Sequence, residues 1–336
     1  MTDARPDTAS VADRIRPIAA GGAVVAIHFL GETPVFVLGE ESVVLAPRAE
    51  AERVVSVHDG AILAAAVDDA RVVTGGDDGK VVGTTRDGST MTIAMDPNRR
   101  WIDRVAAGAD GAVAWSAGKR AFVRTSKGEE RTCEVSSTVG GLAFAPKGFR
   151  LAIAHYNGAT LWFPNALQAA PEKLEWKGSH LDVTFSPDGR FLVTAMQEPA
   201  LHGWRLADGR HMRMSGYAAK VQSMAWTAGG RWLATSGSDQ LILWPFDAKE
   251  GPMGKAPLLL APAGHKVSTV ASHPKQEVVA VGYEDGLVLL VRIQDGAEII
   301  AKRPGRAPVS AIAWSATGDM LAFGSEDGES GIIDLA

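Results

Sequence analysis

The chain has 336 residues, 46% of them hydrophobic and 22% charged, which supplies a core and excludes disorder, collagen and coiled coil as the main state. The 34 basic and 39 acidic residues leave a net charge of −5 with no basic cluster, which argues against a nucleic-acid or anionic-membrane surface. Glycine and proline account for 54 of 336 residues, and such punctuation demands many short elements rather than a few long helices.

From the N-terminus, residues 1–12 are expected to be a flexible tail and 13–336 one domain. The opening stretch has no apolar h-region and carries acidic residues among the basic ones, so it does not resemble a secretory signal. No window approaches the roughly 18 uninterrupted apolar residues of a membrane span. The single cysteine, Cys133, forbids an intrachain disulfide and fits a reducing, cytoplasmic setting.

Further along, five stretches share one design: residues 141–154, 181–195, 221–236, 267–282 and 309–324. Each is a period-2 strand ending in an aromatic residue or Ser, then a four-residue turn, then a second apolar strand, the pattern of a hairpin. Pro146, Pro187 and Pro274 preset φ in these turns, and Gly148, Gly189, Gly230 and Gly318 can take the positive φ that returns the chain. A polar turn and a third strand follow each hairpin. The same frame is fainter upstream and faintest at residues 35–45. With the second turn as marker, at Glu41, Asp78, Gly118, Asn157, Glu198, Asp239, Asp285 and Asp327, the intervals are 37, 40, 39, 41, 41, 46 and 42 residues. Strand-like runs at 54–58, 91–95, 174–176 and 298–301 supply a fourth strand per unit.

Four short strands repeating at this period are the signature of a β-propeller. Over nearly all of residues 14–336 the chain resembles the WD-repeat family. Trp162, Trp204 and Trp244 stand where the family has its strand-three tryptophan, although Phe163, Arg205 and Pro245 replace the Asp that follows it. Gly264-His265, and less closely Gly178-Ser179-His180, match its Gly-His, and Asp78, Asp239, Asp285 and Asp327 its turn Asp. No unit holds His, Ser/Thr, Asp and Trp together; the Asp239 unit has Ser236 and Trp244 but Ala219-Lys220 in place of His. The resemblance implies an all-β fold, a single propeller of four-stranded antiparallel blades. The count predicts eight blades, or seven if the weak 23–58 unit is irregular. It also implies a ring locked by the N-terminal run Arg14–Ala19, pairing with the last unit's third strand.

Chemistry is sparse in the pattern. The eight histidines show no ligand spacing, so no metal site is expected, and His180 and His265 are expected to be structural. Residues 75–80 and 251–257 fail the phosphate-loop pattern, no nucleophile elbow exists, and Cys133 has no activating partner. Most tryptophans, including Trp226, Trp232 and Trp314, fit the core. No cofactor is expected.

The remaining signal is charge on the turns joining strands two and three: Glu40, Glu41, Asp77, Asp78, Glu284, Asp285, Glu326 and Asp327. In a ring these would form one acidic sector, opposite Lys119 and Arg120, with Lys220, Lys266 and Arg306 at the approaches to strand one. Such a field orients a partner with a basic segment. The bland alternative is that acidic residues suit tight turns. The function expected is a non-catalytic interaction or scaffold module, monomeric on its own, taking a protein or peptide on its narrow face. The competing expectations are an enzyme or a ligand- or metal-binding propeller using the channel, and a structural subunit of an assembly.

Overall fold

The computed structural model describes residues 8–108, 111–166 and 168–336. Their contacts divide into two units. One holds residues up to Leu38, Ala46–Glu52 and Gly216–Ala336, the other Gly39–Leu45 and Arg53–Ser215.

The first unit begins with β1 (Ile15–Pro17) and the hairpin β2 (Val24–Leu30)/β3 (Thr33–Leu38). The second contains β4 (Ser42–Leu45), β5 (Arg53–Ser56), β6 (Ile62–Val67), β7 (Arg71–Gly76), β8 (Lys80–Thr85), β9 (Thr90–Met95), β10 (Val105–Ala107), β11 (Val113–Ala117), β12 (Arg120–Arg124) and β13 (Glu130–Glu134). It continues through β14 (Gly141–Phe144), β15 (Leu151–Trp162), β16 (Glu172–Phe185), β17 (Phe191–Met196), β18 (Ala200–Arg205) and β19 (His211–Ser215). The first unit resumes with β20 (Met224–Trp226), β21 (Trp232–Thr235), β22 (Leu241–Pro245), β23 (Leu258–Leu260), β24 (Val267–Ser272), β25 (Val278–Tyr283), β26 (Val288–Arg292) and β27 (Glu298–Lys302). It ends with β28 (Val309–Trp314), β29 (Met320–Ser325) and β30 (Ser330–Asp334).

The strand ladders described are antiparallel between sequence neighbours, except that β1 lies antiparallel against β30, with Ile15, Arg16 and Pro17 opposite Ile333, Ile332 and Gly331, and Ser10 bridges Ile300 in parallel. Ordered pairing starts even earlier, inside the segment read as a tail: Ile300 donates to Ala9 O and accepts from Val11 N. Residues 1–7 lie outside the described residues.

These sheets are propeller blades, and among the described residues there are seven of them, not the eight that the repeat count predicts. The weak 23–58 region is not the cause. The repeats of residues 141–215 share one six-stranded sheet, β14-β15-β16-β17-β18-β19. β16 pairs with β15 through Glu172 to Ser179 and with β17 from His180 onward. The Lys177-Gly178 segment, which looks like a break, instead carries the ladder past a bulge.

The first turns work as the sequence predicts, with a hydroxyl added. In Ser186-Pro187-Asp188-Gly189, Gly189 has φ +76, its N–H reaches Ser186 O at 2.8 Å, and Ser186 Oγ takes the Phe191 N–H at 2.9 Å. Ser315 does the same for Met320 at 3.1 Å, and Thr227 for Trp232 at 3.1 Å. A residue that ends one strand therefore satisfies the first donor of the next, which removes the cost of an orphaned N–H. Burial is greatest in the middle strands: Val279, Val281, Leu289 and Val291 alternate along β25 and β26 at 0% exposure and pack with Leu241, Leu243 and Tyr283.

Candidate functional site

The second turn of each repeat carries the acidic residues, and the structure splits them by role. Asp78, Asp285 and Asp327 each precede a glycine of positive φ, +79, +85 and +88. Each Oδ1 accepts the backbone N–H two residues on, from Lys80 at 3.0 Å, Leu287 at 3.1 Å and Glu329 at 3.2 Å. Asp327 also accepts from Ser325 Oγ at 2.6 Å, and that bond holds its carboxyl below the usual range. These three are turn formers first, by the Asx mechanism.

Asp78 is more committed still. Its side chain is 5% exposed and lies 3.0 Å from His58 Nδ1. A carboxylate only accepts, so Nδ1 carries the proton, and Nε2 lies 2.9 Å from Thr74 Oγ1. Burial would raise the Asp78 pKa, but the N–H groups of Asp59 and Lys80 together with His58 overcome it and bring it down to about 2. Asp78 is thus a core strut, not a contact residue. The signal missed was His58 itself, which follows Val57 rather than Gly.

Of the remaining candidates, Glu40 and Glu41 are exposed at the start of the second unit, and Glu41 O accepts from the N–H groups of Val57 and His58. Asp77 stands over Gly60, where a Cβ would strike its Oδ1. Glu284 and Glu326 are exposed in the first unit and line one hollow of about 150 Å³ together with Lys220, Gln222, Lys266 and Ser268. Lys266 Nζ lies 3.7 Å from Glu284 Oε1, both ends nearly half exposed. At this position the two signs mix: Lys220 and Lys266, from the approaches to strand one, share a concavity with Glu284 and Glu326.

Buried hydroxyl chains tie strands two and three together beneath these turns. Tyr217 takes the place of a histidine: its OH lies 2.9 Å from Thr235 Oγ1 and receives Trp244 Nε1–H at 2.7 Å. His180 Nδ1 lies 2.7 Å from Thr194 Oγ1 and Nε2 is 3.0 Å from Trp176 O, as befits a structural role. His265 is exposed and makes no such bond among the described residues, so its Gly-His resemblance is not matched by a buried role. Among the described residues no group of three or more His, Cys, Asp or Glu is arranged to hold a metal ion. Cys133 is buried, which pushes its thiol pKa up. Trp101 is not core: it is 66% exposed.

Antiparallel sheets repeated along the chain, braced by His58, His180 and Tyr217 on the strand-two hydroxyls of Thr74, Thr194 and Thr235, are the architecture of a β-propeller. Comparison with known proteins supports a WD-repeat family: the profile "WD domain, G-beta repeat" matches residues 210–244 and that of the "Anaphase-promoting complex subunit 4 WD40 domain" matches 273–336. The chain is similar to WD repeat-containing protein 1-B of Xenopus laevis, 32% identical over 80 residues, which are 23% of this chain and 13% of that protein. It is similar to WD repeat-containing protein 55 of Rattus norvegicus, 23% identical over 201 residues, 58% of this chain and 51% of that protein. It thus spans about half or less of these relatives' lengths. Among solved structures, the computationally designed Ika8 protein aligns with TM-score 0.76 and 16% identity, covering 93% of this chain and 96% of that one. U3-55K aligns with TM-score 0.63 and 14% identity, covering 96% and 99%. These two likenesses show the fold alone.

Proposed function

We propose that this chain is a non-catalytic interaction module that takes a protein or peptide segment on the turn-bearing end of its blades. The observation that carries the reading is the hollow formed by Lys220, Lys266, Glu284 and Glu326. Its carboxylates belong to exposed residues, whereas Asp285 and Asp327 beside them serve the turns. A partner with a basic residue flanked by an acidic one would replace the long Lys266–Glu284 contact with two shorter ones. Charge placed this way sets register and encounter rate more than affinity. WD-repeat proteins as a class support protein binding, and the lone buried thiol supports a reducing compartment.

The test is affinity capture from the native cell with the wild type and with Glu284→Lys/Glu326→Lys, co-eluting proteins being identified by mass spectrometry. Loss of specific partners at an unchanged melting temperature is the expected result. Capture of the same proteins by both would overturn the assignment.

A further inference from the structure

A second surface, in the other unit and independent of Glu284 and Glu326, has the character of a binding hot spot. Trp101, in the loop between β9 and β10, is 66% exposed, and Tyr156, midway along β15 where its register shifts, is 55% exposed. Exposed aromatics rimmed by polar residues mark interaction surfaces, where they dominate the energetics.

The backbone presenting Trp101 is held firmly. Asp96 accepts from Arg100 Nε at 3.1 Å and Nη2 at 2.6 Å, and from the Asn98 N–H at 2.9 Å. The next residue, Ile102, is 0% exposed and bonds Gly76 O at 3.0 Å. Arg99 takes φ +51 and lies directly over Gly79, whose Cβ, if present, would meet Arg99 Cα at 2.8 Å. Trp101 thus stands out from a loop anchored on either side, so little ordering cost remains to be met on binding.

Neighbouring loops join it in one layer. Arg104 Nε donates to Gly140 O at 2.5 Å, Val139 N to Gly118 O at 2.9 Å, and Tyr156 N to Ser137 Oγ at 2.8 Å. Within residues 96–104, Asp96 pairs with Arg100 and Asp103 accepts from Ser116 Oγ at 3.1 Å, and the turn under Arg99 adds Asp77 and Asp78, the latter paired with Lys80. Arg99 and Lys119 are exposed and have no ion pair among the described residues.

We propose that this layer binds an acidic extended peptide, an apolar side chain resting on Trp101 and carboxylates meeting Arg99 and Lys119. Two free cations are too few for a nucleic acid held by phosphate neutralisation, which favours a protein ligand.

The experiment selects a random dodecamer library displayed on phage against the full chain, with counter-selection on Trp101→Ala. Enriched peptides should be acidic. Their synthetic forms should bind Trp101→Ala and Arg99→Glu/Lys119→Glu about thirtyfold more weakly, in the range of a central hot spot, at unchanged melting temperature. Glu284→Lys/Glu326→Lys should bind them normally, which separates this surface from the first. No enrichment over the Trp101→Ala background, enrichment of basic or neutral peptides, or a single-stranded oligonucleotide bound with the same dependence on Trp101 would each overturn the proposal.

Discussion

Trp244 Nε1 donates to the hydroxyl of Tyr217 at 2.7 Å, and the bond is one link of a directed chain. Tyr217 OH lies 2.9 Å from Thr235 Oγ1, which in turn donates to Ile242 O at 3.1 Å. Each hydroxyl accepts one hydrogen and passes one on. Tyr217→Phe breaks this at its centre, leaving a buried indole N–H unpaired, and is expected to cost about 1–3 kcal/mol in urea unfolding. Tyr217→Phe/Thr235→Val should cost less than the sum of its parts, since the two share one bond. Additive losses would show that the chain is not a unit.

Asp78 and Glu284 occupy matching ends of the repeat but should respond oppositely to substitution. Asp78 is 5% exposed, hydrogen-bonded to His58 and ion-paired with Lys80, with its pKa brought down to about 2 from 3.8. A depressed carboxylate stabilises the fold above the unfolded value and loses that contribution as pH falls from about 4 to 2. Asp78→Asn is expected to cost about 2 kcal/mol at pH 7, and Glu284→Gln nothing measurable. Equal unfolding midpoints for the two variants in urea would refute the division of roles.

His202 makes stability depend on acid. Its ring, 0% exposed, stacks on Trp176 at 4.1 Å and lies 5.2 Å from His211, 6.4 Å from His180 and 4.8 Å from Trp204. Neither ring nitrogen has a hydrogen-bond partner among the described residues. Burial, with repulsion from His211, His180 and Arg213, lowers its pKa from 6.5 to about 3. A depressed histidine supports the fold above pH 6.5 and withdraws that support as pH falls toward 3. By pH 5 the loss should be about 2 kcal/mol. His202→Phe keeps the stack and removes the titration, so its unfolding midpoint should gain on the wild type between pH 7 and 5. A constant difference across that range would sink the idea.

What the sequence disclosed and what it hid follow from the range of the interactions. Hairpins rest on neighbours, so the Ser186 and Ser315 turns and the Asp-Gly turns were legible from residue type alone. The partner of β1 was legible only through the family resemblance, which implies that the N-terminal run pairs with the last unit's third strand. The blade count went astray at Lys177-Gly178, where a glycine at φ +110 permits a continued ladder as readily as a turn. Of the buried struts His180 was legible and the others were not, because the family's dipeptide was the guide: Gly264-His265 has it and is exposed, while His58 lacks the glycine and Tyr217 lacks the imidazole. Trp101 could not be separated from core tryptophans by sequence, since only the anchoring of Ile102 turns it outward.

Lys302 tests how a buried charge is balanced between neighbouring repeats. Its side chain is 4% exposed, and Nζ donates to Gly286 O and Arg303 O, each at 3.1 Å, and to Glu329 at 3.0 Å. Glu329 is half exposed, so it is re-hydrated when its partner is lost, whereas Lys302 is not. Removing the lysine deletes a charge that was expensive to bury; removing the glutamate leaves that charge with only carbonyl partners. Glu329→Gln is therefore expected to destabilise at least as much as Lys302→Met, about 1–3 kcal/mol, although the glutamate is the exposed member. Glu329→Gln in the Lys302→Met background should then cost almost nothing, which a double-mutant cycle in urea would read directly. A full and independent cost there would mean that Glu329 acts through the Ser325–Glu329 turn rather than through the lysine.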